Sequence, residues 1–158
     1  RIKNIDRHTI IVKRRTRKSK NKKVQNATAK VYKGIKFRSK LELFTYMKLE
    51  DAGIKSLYEK KKYTLLQGFH YEAECYEPDK RKGYVDNTKK VRDITYTPDF
   101  VDPNGKWIIE VKGFANDVFP LKWKLFKKHL KDNNHNYVLF MHRNKKQVDE
   151  VVELIKQL

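Results

Sequence analysis

The apolar residues of this chain gather in runs whose spacing changes along its length, and that spacing predicts the elements. Over 39–51, Leu41, Phe44 and Leu49, with Met47 beside them, mark the buried side of a helix. Ser39 followed three residues later by Glu42 has the form of a capping box, which satisfies orphan donors at a helix start. Gly53 is the expected stop. Segments 58–66 and 69–76 are rich in Tyr, Phe, Leu and other apolar residues and predict two strands, with Gln67-Gly68 near the turn between them. Segment 77–90 is polar, contains Pro78, Gly83 and Asn87, and predicts a loop or insertion. Segments 92–100 and 107–111 predict a hairpin about Asp102-Pro103-Asn104-Gly105, because Asn-Gly between apolar runs is a strong turn signal. Over 119–131, Phe119, Trp123, Phe126 and Leu130 form one helical face, and Lys122, Lys124, Lys127, Lys128 and Lys131 occupy much of the rest. Segment 137–141 is nearly all apolar, as expected of a strand buried on both faces. Segment 147–158 is amphipathic through Val148, Val151, Val152, Ile155 and Leu158. Helix, several strands, helix, strand, helix is an order that suits the α/β class, a mixed sheet flanked by helices over 31–158.

Charge changes the picture at the start of the chain. Lys13, Arg14, Arg15, Arg17, Lys18, Lys20, Lys22 and Lys23 make a dense basic run without apolar period. Self-repulsion predicts that 1–30 is an extended arm, lying along phosphates or serving only as a solubilising tail. The 158 residues carry 38 Lys and Arg against 19 Asp and Glu, a formal charge of +19. Such a field favours polyanions, either nucleic acid or an anionic membrane surface, and a structural RNA-binding protein fits it as well as an enzyme does. The apolar fraction is 39%, enough for a modest core because it is clustered. The one cysteine, Cys75, forms no internal disulfide, suits a reducing compartment, and is expected in a strand in or near the core. No run approaches the ~20 apolar residues that span a bilayer. Ile10-Ile11-Val12 is too short for a signal-peptide core, so a soluble, cytoplasmic protein without a membrane partner is expected. Because Arg1 comes first, at least an initiator methionine is expected to lie outside this numbering.

Candidate chemistry sits in the Asn-Gly hairpin. Glu110 and Lys112 are two apart, so on a strand they share one face, while Ile109 and Val111 take the other, towards the core. Asp99, just before the turn region on the partner strand, is brought towards Glu110. Hard cations such as Mg²⁺ prefer oxygen ligands and are often held by one or two carboxylates with water and phosphate. Asp99 and Glu110 are the candidate ligands, with the Val111 carbonyl a third. Lys112 places a compact positive charge where a phosphoryl transition state develops charge. The competing reading is a plain cross-strand ion pair. Glu42 joins the group if its helix packs beside the hairpin, or it only completes the cap with Ser39.

These residues resemble the PD-(D/E)XK nuclease superfamily, in which an early helical Glu precedes Pro-Asp and then Glu-x-Lys on the next strand. Glu42, Pro98-Asp99 and Glu110-Val111-Lys112 match that pattern. The chain is similar, more closely, to the phage endonuclease I family of Holliday-junction-resolving enzymes, and to a broader set of small phage-encoded proteins. Phe37-Arg38-Ser39 with Leu41-Glu42, Gly53-Ile54-Lys55, and Tyr96-Thr97-Pro98-Asp99-Phe100 with Pro103-Asn104-Gly105, Glu110 and Lys112-Gly113 carry the similarity, which covers about 37–113. The resemblance implies a restriction-endonuclease-like core and a DNA endonuclease using Mg²⁺, with Mn²⁺ as substitute. It implies Glu42, Asp99, Glu110 and Lys112 as the catalytic residues, two metal positions, and in the resolvase case a homodimer that cuts branched DNA. Segment 68–92 is longer and more polar than that family's pattern, and neither the basic arm nor the last helix belongs to it. Nicking, restriction, transposition or packaging nucleases share the same motif, and a non-catalytic nucleic-acid-binding module can share the scaffold.

Carboxylates repel phosphate, so DNA affinity has to come from elsewhere: Lys13, Arg14, Arg15, Arg17 and Lys18 of the arm, Arg38, Lys124 and Lys128 of the lysine-rich helix, and Arg143, Lys145 and Lys146. Such contacts carry no base sequence, so shape selectivity is expected over sequence reading. His129, His135 and His142 lack metal-ligand spacing and are expected at the surface or in loops.

Overall fold

A computed structural model describes residues 29–87, 89–113 and 118–158. The elements in chain order are β1 (Lys30–Tyr32), β2 (Ile35–Phe37), α1 (Lys40–Asp51), β3 (Leu57–Tyr58), β4 (Tyr63–Leu66), β5 (Tyr76–Asp79), β6 (Gly83–Asp86), β7 (Ile94–Tyr96), β8 (Phe100–Val101), β9 (Trp107–Val111), α2 (Phe119–Asp132), β10 (Val138–His142) and α3 (Lys145–Lys156). The central sheet has the order β10-β9-β8-β3 and is mixed, with β10 parallel to β9 and the other pairs antiparallel. The α/β class expected from the sequence is therefore observed.

Alternation along β9 sorts its side chains to two cores. Trp107, Ile109 and Val111 pack with Phe37, Leu49, Tyr58 and Phe100, and with Val148, Val151, Val152 and Ile155 of α3. Ile108 packs on the other side with Tyr96, Val101 and the Phe119, Phe126 and Leu130 face of α2. Helices thus cover both faces, and β9 is buried along its whole length. No helix among the described residues is long and apolar enough to cross a membrane.

The boundaries differ from the periodicity in several places. Segment 58–66 is not one strand: Glu59 takes a left-handed φ of 46°, which divides β3 from β4. Segment 92–100 is likewise broken at Thr97-Pro98-Asp99, since Pro98 has no N–H to give a ladder, and β7 pairs with β4 outside the central sheet. Segment 69–76 is not one strand: Phe69 pairs in a bridge to Val91, Tyr76 opens β5 opposite Asp86, the residues between them lie outside the strands, and Tyr71 and Tyr76 are exposed. Cys75 lies outside the strands and is half-buried rather than in the core. The polar segment 77–90 holds a hairpin, β5–β6, whose turn is closed by Asp79 accepting from the Arg81 and Lys82 N–H groups, with Gly83 at φ 75°. Segment 137–141 is an edge strand among the described residues, exposed at Val138 and half-buried elsewhere, because β9 is its partner on one side and no described strand pairs on the other. Met47 and Leu158 are exposed rather than buried.

The excursion 69–91 leaves and returns at one point. Phe69 and Val91 exchange both backbone hydrogen bonds, at 3.0 and 2.8 Å. Beside them the Gly68 N–H donates to Asp93 at 2.7 Å, and a Cβ on Gly68 would fall 2.6 Å from the Val91 carbonyl oxygen. Only glycine lets the two chains approach this closely.

Candidate active site at the end of the central sheet

Three strands of the central sheet bring polar residues to one end. Glu59 follows β3, Asp99 precedes β8, and Glu110 and Lys112 close β9. Backbone bonds continue the ladder through them: the Glu59 N–H donates to the Asp99 carbonyl at 2.9 Å, and the Lys112 N–H to the His142 carbonyl at 2.9 Å. The first turn of α1 adds Glu42.

Asp99 and Glu110 are buried, Glu110 to 2% exposure. Asp99 Oδ2 accepts from the Val111 N–H at 2.6 Å. Glu110 accepts a hydrogen bond from the Tyr96 hydroxyl through one oxygen and pairs with Lys112 Nζ at 2.7 Å through the other. Lys112 Nζ also lies 4.4 Å above the centre of the Phe119 ring. Burial, then the neighbouring Glu110 carboxylate, holds the Asp99 carboxyl well above the usual carboxylate range; Glu42 adds to this, while the Val111 N–H and Lys112 oppose it. Burial, then the Glu110 charge, raises the Tyr96 phenol, so its hydroxyl keeps the proton that it donates to Glu110.

Glu42 performs the capping role and faces the acidic group as well. Its N–H donates to Ser39 Oγ at 3.2 Å, and its carboxylate accepts from Ser39 Oγ at 2.9 Å and from the Arg38 N–H at 2.9 Å. The Tyr58 hydroxyl donates to the same carboxylate at 2.6 Å. Its charge acts on both Asp99 and Glu59, so the two readings of Glu42 coexist. Glu42, Glu110 and Lys112 thus all lie within electrostatic reach of Asp99. Both oxygens of Glu42 and of Glu110 and one oxygen of Asp99 meet protein donors, and among the described residues no three acidic, His or Cys side chains are set as a ready metal-ligand group. The oxygen-rich donor set and the buried negative charge beside Asp99 nonetheless match what a hard divalent cation requires.

Sequence reasoning missed four participants. Tyr96 and Tyr58 orient the acids, and nothing in their spacing separates them from core aromatics. Glu59 reaches the site because of its left-handed backbone, which no pattern encodes. Burial, opposed by Arg38 and reinforced by Glu42 and Glu110, raises its carboxyl. His142 is not at the surface but fully buried. One ring nitrogen bonds Thr45 Oγ1 at 2.8 Å, and Nδ1 has no partner among the described residues. This bond ties α1 to the strand that holds Lys112. Among the expected DNA contacts, Arg38 lies beside the site, its guanidinium 2.9 Å from Glu59. Lys124 is exposed on α2, and Lys128 pairs with Asp132 at 2.8 Å. Lys13, Arg14, Arg15, Arg17 and Lys18 lie outside the described residues.

No curated protein and no solved structure matches the chain. A family model described as "Protein of unknown function (DUF1064)" matches residues 18–146, which is most of the chain, so the protein belongs to that family.

Proposed function

For a member of a family without an assigned activity the reaction has to be read from the site, and we propose that this chain is a divalent-metal-dependent DNA endonuclease, with branched DNA as its leading substrate. The observation that carries the reading is the burial of Asp99 beside Glu110, with Glu42 near and Lys112 bonded to Glu110. A purely structural sheet end has little reason to bury an aspartate whose acidic neighbours raise its proton affinity. Asp99, Glu110 and Glu42, with the Val111 carbonyl, would hold Mg²⁺ or Mn²⁺. When bound, the cation polarises the scissile phosphate and lowers the pKa of a coordinated water.

The chain's own residues do the remaining work. Tyr96 and Lys112 fix the Glu110 carboxylate from two sides, so its lone pairs are aimed before substrate arrives. Lys112 is held at its main chain by His142 and at its ammonium by Glu110 and the Phe119 ring. That places a fixed positive charge beside the phosphate, where charge accumulates in the transition state. The basic surface supplies affinity through counterion release, so binding weakens steeply with salt. The finer expectations of a restriction-endonuclease-like core, a homodimer, a phage origin and a cytoplasmic setting belong to this reading.

A second reading, a nucleic-acid-binding module without catalysis, is favoured by the engagement of the Glu42 and Glu110 oxygens with protein donors. One assay separates the two. Supercoiled and branched DNA are incubated with Mg²⁺ or Mn²⁺ and wild-type protein, Asp99→Ala or Lys112→Ala. Cleavage by wild type that falls by about 10²-fold or more in each variant is expected. Unchanged cleavage in both variants removes the site. DNA binding that persists in chelator, with turnover in neither metal, selects the binding module.

A further inference from the structure

Arg38 joins two contacts that pull in different directions. Its backbone N–H donates to Glu42 at 2.9 Å and to the Tyr58 hydroxyl at 3.1 Å, so the residue is anchored on the candidate site. Its side chain, 72% exposed, carries the guanidinium outward to Glu59, whose own side chain is only 20% exposed. Glu59 is in turn pinned through its N–H to the carbonyl of Asp99. It holds a left-handed backbone, which a non-glycine residue adopts only under strain. The pair is therefore fixed at the carboxylate end and open to solvent at the guanidinium end.

A guanidinium presents a planar fork that fits carboxylate and phosphate alike. Glu59 also stands among Glu42 and Glu110, and a phosphate entering the site meets those same repulsions without a cation of its own. We propose that Glu59 occupies Arg38 in the free protein as an internal stand-in for a DNA phosphate, and that a phosphate beside the scissile one takes the guanidinium when substrate binds. Glu59 is on this account a positioning residue: it keeps the Arg38 fork aimed along the sheet end and is displaced by substrate. The guanidinium reaches the half-buried carboxylate from solvent as a single close ion contact, which leaves the arginine open to exchange partners. The inference deepens the DNA reading above but needs only phosphate binding, not cleavage.

The test is a double-mutant cycle on the affinity of the full chain for fluorescently labelled branched DNA, in EDTA at fixed salt and neutral pH. Arg38→Ala is expected to weaken binding roughly tenfold, and Arg38→Lys, which keeps the charge without the fork, to recover only part. Glu59→Gln is expected to tighten binding about two- to fivefold, because the competitor for Arg38 is gone. In the Arg38→Ala background that gain disappears. A gain that persists without the arginine is a general effect of net charge and overturns the proposal, as does weaker binding by Glu59→Gln. Unchanged thermal melting of Glu59→Gln guards against a folding effect, and Glu59→Asp, which keeps the charge, is expected to bind as wild type if that melt shifts; tightening by Glu59→Asp also overturns the proposal. If the cycle holds and no metal supports cleavage, the endonuclease reading fails alone. If cleavage is seen and the cycle is additive, the exchange fails alone.

Discussion

Asp99 and Asp79 are the same residue type in opposite settings. Asp79 sits exposed at the β5–β6 turn, where its carboxylate accepts two backbone N–H bonds of its own hairpin and meets water on its open side. Asp99 is buried at the end of the central sheet, accepts one backbone N–H, and faces two other acids. The first is a local device that shapes a turn. The second keeps an acid where burial and its neighbours disfavour the charged form. What separates structure from candidate chemistry is therefore the surroundings of a carboxylate rather than its presence, and the hairpin is the internal control for the sheet end.

Three measurements break or sharpen that contrast. The largest effect is in packing. Ile109→Ala, on the fully buried face of β9, is expected to cost about 2–5 kcal/mol in urea unfolding. Tyr84→Ala on the hairpin, where the side chain is 74% exposed, should stay within about 0.5 kcal/mol. Comparable losses from the two would mean that the hairpin is part of the core. The next effect is in pH. Burial lowers His142 from its usual value of 6.5 to about 4, because the folded chain disfavours the imidazolium. Its contribution is complete above about pH 6.5 and is lost as the pH falls towards 4, on the order of 2–3 kcal/mol. Melting temperature should drop over that window, and the drop should be shallower in His142→Gln. The smallest effect concerns Asp99 itself. Because its folded pKa is raised, its ionised form opposes folding at neutral pH and protonation relieves the opposition as the pH falls. Asp99→Asn, melted in chelator, is expected to gain about 0.5–2 kcal/mol near pH 7 and to lose that advantage in acid. No gain at neutral pH would make Asp99 an ordinary structural aspartate.

Much of the frame was legible. Helical spacing located α1, α2 and α3 to within a residue or two, and the Asn-Gly signal located the β8–β9 hairpin. The Glu110-x-Lys112 pair and Asp99 were legible because strand periodicity and a short turn fix which residues face one another. The failures have a common cause: a local pattern does not report a partner. The Phe69 run is apolar enough for a strand, but among the described residues only its two ends, Phe69 and Tyr76, find partners. Segment 137–141 is apolar enough for a central strand but stands at the edge. His142 lacks ligand spacing, which says nothing of the buried hydroxyl of Thr45, 97 residues earlier in the chain. Glu59 was invisible because a single left-handed residue in a basic stretch changes no periodicity.

The pinch at Gly68 and the Phe69–Val91 bridge has a consequence for how this molecule tolerates change. A detour whose two ends already meet can be lengthened or trimmed at little thermodynamic cost, since doubling a flexible loop adds only about 0.6 kcal/mol of closure entropy. Its geometry is decoupled from β7 and β8, so variation between the bridge residues leaves the sheet end where it is. The tolerance stops at the pinch itself, where one added methyl would push the two crossing chains apart and carry the disturbance towards Asp93 and the strand that leads to Tyr96.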